Sequence, residues 1–124
     1  MTSYAIEASY IAKRIPLAEA ERKLGLTPTV KKRNSIVYQL GPKQFFIVYV
    51  FGVAVSLGLE KKDRLALHRK LVRTAPEPIA PSVTEEYEIR EDAEQPEVIE
   101  FDFVRIRELT IERLLIIGEI LAQS

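Results

Sequence analysis

The residues able to do chemistry are few and scattered. His68 is the only histidine and there is no cysteine, so no Cys/His zinc site and no disulfide framework can be assembled. A general base needs an orienting partner and a pocket. His68 stands instead in a Lys/Arg-rich helical stretch, three residues from Leu65 and three from Leu71, which places it at the rim of that helix's apolar face. Ser9, Ser35, Ser56, Ser82 and Ser124 have no nucleophile-elbow context. Gly25, Gly41, Gly52, Gly58 and Gly118 make neither G-x-G-x-x-G nor the P-loop pattern, so the backbone offers no cradle for a phosphate by those routes. The sequence leads us to expect no catalytic residue, no metal and no cofactor.

Charge is the other chemical resource. Glu85, Glu86, Glu88, Glu91, Asp92, Glu94, Glu97, Glu100 and Asp102 crowd one stretch. Carboxylates can hold Mg²⁺ or Ca²⁺, or act as a catalytic pair. Calcium-loop spacing is missing, however, and Glu86/Glu88 and Glu100/Asp102 alternate as the outward face of strands would, so a solvated edge is the better reading. The bases are Lys13-Arg14, Lys31-Lys32-Arg33, Lys43 and Lys61, Lys62, Arg64, Arg69, Lys70 and Arg73. Lys31, Lys32, Arg33, Lys61, Lys62, Arg69 and Lys70 are the candidates for a basic face that tracks phosphates. Base-stacking aromatics would have to be exposed beside them, whereas Phe45, Phe46, Tyr49 and Phe51 alternate as core residues do.

The formal net charge of zero conceals a split. Residues 1–75 hold 14 basic and 5 acidic side chains, net +9, and residues 76–124 hold 4 and 13, net −9. The simplest account places the acidic segment beside the basic one, each screening the other. The alternatives are head-to-tail association or a basic face for phosphates.

The elements that position these groups can be read from periodicity. The 124 residues, 47% apolar and 29% charged, suit one soluble globular domain. The polar-apolar alternation after Met1-Thr2-Ser3-Tyr4 leads us to expect no signal peptide. The longest apolar stretch, Phe45 to Val55, has 11 residues, short of the roughly 20 that span a membrane; a cytoplasmic location is expected. Residues 3–11 alternate as a strand, with Tyr4, Ile6, Ala8 and Tyr10 on one face and Glu7 and Ser9 on the other. Pro16 opens a short helix that Gly25 ends. A loop at 26–34 leads to strands at 35–40, 44–51 and 53–59. The middle strand is apolar on both faces, so it is expected to be covered on both sides. A helix at 60–73 points Leu65, Leu71 and Val72 to the core. Residues 74–82, with Pro76, Pro78 and Pro81, form an extended connector. Strands at 83–91 and 97–106 flank a turn at 92–96, the first as a charged edge and the second with Ile99, Phe101 and Phe103 inward.

A helix at 107–122 closes the chain. Leu109, Ile111, Leu114, Leu115, Ile116, Ile117, Ile120 and Leu121 place apolar side chains in almost every direction around it. One side can meet the core. The other is expected to meet a second subunit or sequence beyond this chain, unless the helix is sunk between the sheet and an earlier helix. Leu114, Ile117, Ile120 and Leu121 are the candidate self-association residues. The expected fold is therefore α+β: a largely antiparallel sheet of about six strands with three helices, in the order β-α-β-β-β-α-β-β-α, with a ferredoxin-like βαββαβ core as one arrangement.

The stretch Phe45-Phe46-Ile47-Val48-Tyr49-Val50-Phe51-Gly52-Val53-Ala54-Val55-Ser56-Leu57-Gly58-Leu59, followed directly by a charged helix, resembles the central hairpin of the family named for a protein required for meiotic nuclear division, whose bacterial and archaeal members are called YagE-type. Tyr87 to Phe103 is similar to that family's acidic hairpin, and Ala122-Gln123-Ser124 to its Ala-Gln-Ser helix motif. The similarity covers about residues 44–124. Leu57 stands where the family commonly has Trp. Family members continue past Ala-Gln-Ser into further helices and usually a C-terminal membrane helix, so the resemblance implies that this chain is the N-terminal part of the family domain. It supplies no catalytic residue. Mitochondrial members associate with the inner membrane and support translation there; others are linked to sporulation or meiosis. The implied role is a non-enzymatic assembly or tethering module, with a homo-oligomer or the missing helices as partner. A nucleic-acid- or ribosome-contacting module is the alternative.

Overall fold

A computed structural model describes residues 2–100 and 103–122, apart from the side chains of residues 79–82. The order is β1 (Thr2–Ala12), α1 (Leu17–Leu24), β2 (Val30–Lys31), β3 (Ser35–Gly41), β4 (Gln44–Tyr49), β5 (Val53–Leu57), α2 (Lys61–Thr74), β6 (Pro78–Glu91), β7 (Val98–Ile99), β8 (Phe103–Ile106) and α3 (Ile111–Ala122). The strands form one sheet in the order β2-β3-β4-β5-β1-β6-β8-β7. Neighbours are antiparallel except β6 and β8, which run parallel. The fold is α+β, with three helices on a mostly antiparallel sheet.

The period-two alternation of the strands builds two apolar layers. On one face Ile6, Ala8, Ile47, Tyr49, Val53, Val55, Leu57 and Ile89 meet Leu114, Ile117 and Leu121 of α3. On the other, Ile36, Tyr38, Phe46, Val48 and Ala54 meet Ala20 and Leu24 of α1 and Leu67 and Leu71 of α2. β4 therefore has both faces covered, as its unbroken apolar run requires. Two glycines make close approaches possible. Gly52 has φ +96°, and a Cβ there would collide with the Ala12 carbonyl oxygen; that closeness lets Ile11 and Ala12 donate backbone hydrogen bonds to the Gly52 carbonyl at 2.9 and 3.2 Å. Gly118 lets α3 settle on β4: a Cβ would strike the Tyr49 hydroxyl, which donates to the Leu115 carbonyl at 3.1 Å.

Several expectations need correction. The sheet has eight strands, not about six. Residues 26–34 contain the two-residue strand β2, and 97–106 divides into β7 and β8. The proline-bearing connector from Pro78 onward belongs to β6, paired with β1 as far as Pro78 opposite Ala12; a proline at a strand's first position costs no ladder bond. The expected hairpin of 83–91 with 97–106 is not formed. β6 lies inside the sheet, and β8 joins it in parallel at Glu88–Glu91. The sign of pairing depends on where the chain re-enters the sheet, and residue types do not encode that. In α2 the buried residues are Arg64, Leu67, His68 and Leu71, while Leu65 and Val72 are exposed. The i, i+3, i+4, i+7 face is centred one position from the one that counting only aliphatic residues selects. Ile99, expected inside, is 63% exposed; Phe101 and Asp102 lie outside the described residues.

Candidate functional site

The described part of the chain gathers unusual chemistry in two places: the outer side of α3, and the layer beneath α2.

α3 is held at its start by acids from the crowded stretch. Glu91 accepts the Leu109 N–H at 2.6 Å and Glu97 the Arg107 N–H at 3.0 Å. The Tyr4 hydroxyl also reaches Glu91 at 3.1 Å, and Arg113 pairs with Glu97 at 2.9 Å. These bonds favour the ionised carboxylates and hold both groups below the usual range, the backbone N–H being the leading cause in each. Thr110 caps the helix, its hydroxyl accepting the Arg113 N–H at 3.1 Å. Two members of the acidic stretch are thus fasteners for α3.

Of the four candidate self-association residues, Leu114, Ile117 and Leu121 face the sheet and are buried within this chain. Only Ile120 is exposed. Its companion is Ile116, 60% exposed and one turn earlier, a residue the sequence reading counted among the helix's apolar set without singling out. Both line a groove of about 320 Å³ between α3 and the β7–β8 ribbon, with Val98, Ile99, Val104 and Ile106 as the other wall and Glu97, Arg105 and Arg113 at its rim. Burial on one side of α3 is what separates the two sets. A helical wheel shows apolarity in all directions but not which direction meets the sheet.

The seven candidate bases are not brought together. Lys31 pairs with Glu21 of α1 at 2.8 Å. Lys32 and Arg33, in the β2–β3 turn, border a cleft of about 470 Å³ with Phe51, Leu115 and Ile116, and Glu112 and Glu119 lie along it as well. Lys61, Lys62, Arg69 and Lys70 are exposed on α2, which packs on the opposite face of the sheet. Among the described residues only Lys13–Glu77, at 3.5 Å, joins the basic half of the chain to the acidic half. Lys31–Glu21, Arg22–Glu19 and Arg64–Glu7 lie within the first half, and Arg90–Glu88 and Arg113–Glu97 within the second. The halves nevertheless adjoin: β6 runs beside β1, the Lys43 charge is one of the influences that lower the Glu91 carboxyl, and Glu112 and Glu119 lie in the same cleft as Lys32 and Arg33.

Beneath α2 runs a row of cross-strand neighbours, Tyr38, Phe46, Ser56, Glu7 and Glu86. Arg64 of α2 forms an ion pair with Glu7, and both side chains are largely buried. One turn on, His68 lies 5% exposed over Phe46, ring centroids 6.1 Å apart, deeper than the rim position expected from its spacing. The Tyr38 hydroxyl, Ser56 Oγ, Arg64 Nε and His68 Nε2 are buried without a hydrogen-bond partner. Burial, with the Arg64 charge, presses the His68 imidazole down to about 4, and burial with the Glu21 charge lifts the Tyr38 phenol to about 12. Both are therefore neutral at pH 7. The row bears nucleophile and base types, but it is roofed by a helix. His68 also borders a depression of about 360 Å³ formed with Leu65, Arg69, Val72 and Arg73 on the outer side of that helix. The described residues gather no group of three or more His, Asp or Glu that could hold a metal ion, and no described helix is long and apolar enough to cross a membrane.

No family model, curated protein or solved structure matches the chain.

Proposed function

We propose that this chain is a non-enzymatic assembly module that self-associates through the outer side of α3. The observation that carries this reading is the apolar surface made by Ile116, Ile120 and Ile99, respectively 60, 44 and 63% exposed, beside the open groove under β7 and β8. Exposed aliphatic residues are ordinary when solitary; contiguous ones beside a groove mark a contact surface. The occupant is a second copy. The same surface presents apolar residues, the bases Lys32 and Arg33 and the acids Glu112 and Glu119, so a two-fold axis through α3 lets each sign meet its opposite. The sequence resemblance to the meiotic-nuclear-division family supports a tethering or assembly role over catalysis. The strands β4-β5-β1-β6, connected β-α-β-β-α-β with α1 and α2 on one face, are read as a ferredoxin-like core, with β2–β3 and β8–β7 added at its edges.

A nucleic-acid-contacting role has one favourable observation, half-buried Phe51 beside Lys32 and Arg33. Glu112 and Glu119 in the same cleft oppose a polyanion, so this reading ranks second. The test of the first is direct. Ile116→Asp with Ile120→Asp leaves the buried face of α3 intact and should give a folded monomer by light scattering. An unchanged mass in that variant would overturn the reading.

A further inference from the structure

The bases that the sequence spreads over 61–73 come together on the outer side of α2. Arg64, Leu67, His68 and Leu71 take the buried side. At about 100° per residue the opposite side is centred on Lys62, Arg69 and Arg73, with Leu65 and Val72 along one flank and Lys70 along the other. Leu65 and Val72 are 39 and 37% exposed. They stand two turns apart, about 10 Å along the axis, and with His68, Arg69 and Arg73 they form the depression of about 360 Å³. Lys61, Lys62, Arg69, Lys70 and Arg73 are exposed and form no ion pair among the described residues. The acids of α2 and its cap, Asp63 and Glu60, lie at the first turn. The strand register sets Glu86 opposite Glu7, at the Arg64 end. The later turns of the helix therefore present Arg69, Lys70 and Arg73 with no acid between them.

We infer that this side of α2 is a docking surface for an acidic amphipathic helix of another protein. Aliphatic side chains of that helix enter the depression between Leu65 and Val72, and its carboxylates meet Lys62, Arg69 and Arg73. Three observations choose this occupant. An apolar pair two turns apart matches the spacing of the anchors on a docked helix. The uncompensated charge on the surface calls for acids. A phosphate backbone would gain nothing from Leu65 and Val72, and α2 has no Phe, Tyr or Trp on which a base could stack; a flat bilayer would leave the depression unfilled. A second copy fits the surface less well, because its exposed helix, α3, sets Glu112 and Glu119 in one cleft with Lys32 and Arg33. α2 and α3 cover opposite faces of the sheet, so the inference stands apart from self-association: one side of the module pairs copies and the other holds a partner.

The probe is a fluorescein-labelled synthetic helix of leucine and glutamate, with leucines at i, i+3 and i+7 along one face. It should bind the full chain saturably at about 0.05 M salt. Binding should be at least about ten-fold tighter than for two control helices, one with serine in place of leucine and one with lysine in place of glutamate. Leu65→Ser with Val72→Ser, and separately Arg69→Gln with Arg73→Gln, should each weaken binding about ten-fold or more. All four side chains are exposed, so urea unfolding of these variants should match wild type. Ile116→Asp with Ile120→Asp should bind the probe as wild type does, whatever its own mass, so failure of the α3 contact and failure of the α2 contact show in different experiments. Absence of saturable binding, or binding that the serine control or the Leu65/Val72 variant leaves unchanged, would overturn the inference. Tighter binding of a labelled RNA oligonucleotide or of phosphatidylserine vesicles would overturn it too, as would a lower mass of the α2 variants in solution, which would make a second copy the occupant.

Discussion

The two faces of the sheet are finished differently. On the α1/α2 face two helices cover the strands, and buried polar groups are closed in: Glu7 with Arg64, and Ser56, His68 and Tyr38 without hydrogen-bond partners for their side-chain atoms. On the α3 face one helix serves the sheet, and aliphatic side chains are left out: Ile99, Ile116 and Ile120. On a closed face that holds an ion pair, removing one partner leaves the other charge buried and uncompensated. A face with apolar groups left outside gains by being covered. The first face belongs to stability and the second to association. Substitutions on the two should therefore move different observables.

The largest effect falls on the closed face. Arg64→Ala leaves Glu7 buried without its partner and should cost about 3–5 kcal/mol in urea unfolding. Leu71→Met, which keeps volume on the same face, should cost less than about 1.5 kcal/mol; equal losses in the two would mean that the ion pair is not what holds α2. Next comes His68. Its folded pKa of about 4 lies below the ordinary 6.5, so the unfolded chain binds the proton first as pH falls. Its contribution is complete above about pH 6.5 and is lost progressively towards pH 4, on the order of 3 kcal/mol in all. His68→Leu should flatten stability across that window, and a pH profile identical to wild type would contradict the assignment. Third, Gly118→Ala drives a methyl group into the Tyr49 hydroxyl and should cost about 1–3 kcal/mol; pairing it with Tyr49→Phe should recover part of that loss. The smallest stability effect belongs to the open face. Ile116→Asp with Ile120→Asp should change unfolding of the monomer by no more than about 0.5 kcal/mol per site while abolishing association.

The fold was legible in the sequence where one local rule decides it. Pro16 and Gly25 bracket α1, Gly41-Pro42 turns β3 into β4, and the apolar run 45–50 announces a strand covered twice. It was not legible where the decision is long-range. Nothing local to 78–106 distinguishes a hairpin from a parallel return, and β2 is too short to have a period. The charge split was visible as arithmetic, but where the charges come to lie depends on helix placement, which sets Glu112 and Glu119 of α3 beside Lys32 and Arg33. The α3 surface was half legible: eight apolar residues are evident, but which of them meet the sheet depends on where Gly118 lets the helix touch Tyr49. For His68 the aliphatic spacing pointed to the rim. The signal missed was the Arg64–Leu67–His68–Leu71 face, which is apolar once Glu7 neutralises Arg64.

The chain contains no cysteine, which makes one measurement especially direct. A single cysteine is introduced by Ile116→Cys or Ile120→Cys, and by Leu65→Cys on the exposed side of α2 as a reference. The rate of disulfide-linked dimer formation is then followed under mild oxidation at high salt. If α3 pairs with its copy across a two-fold axis, the cysteines at 116 and 120 come together repeatedly, and these variants should cross-link at least about ten-fold faster than the α2 reference. Equal rates at all three positions would contradict association through the outer side of α3.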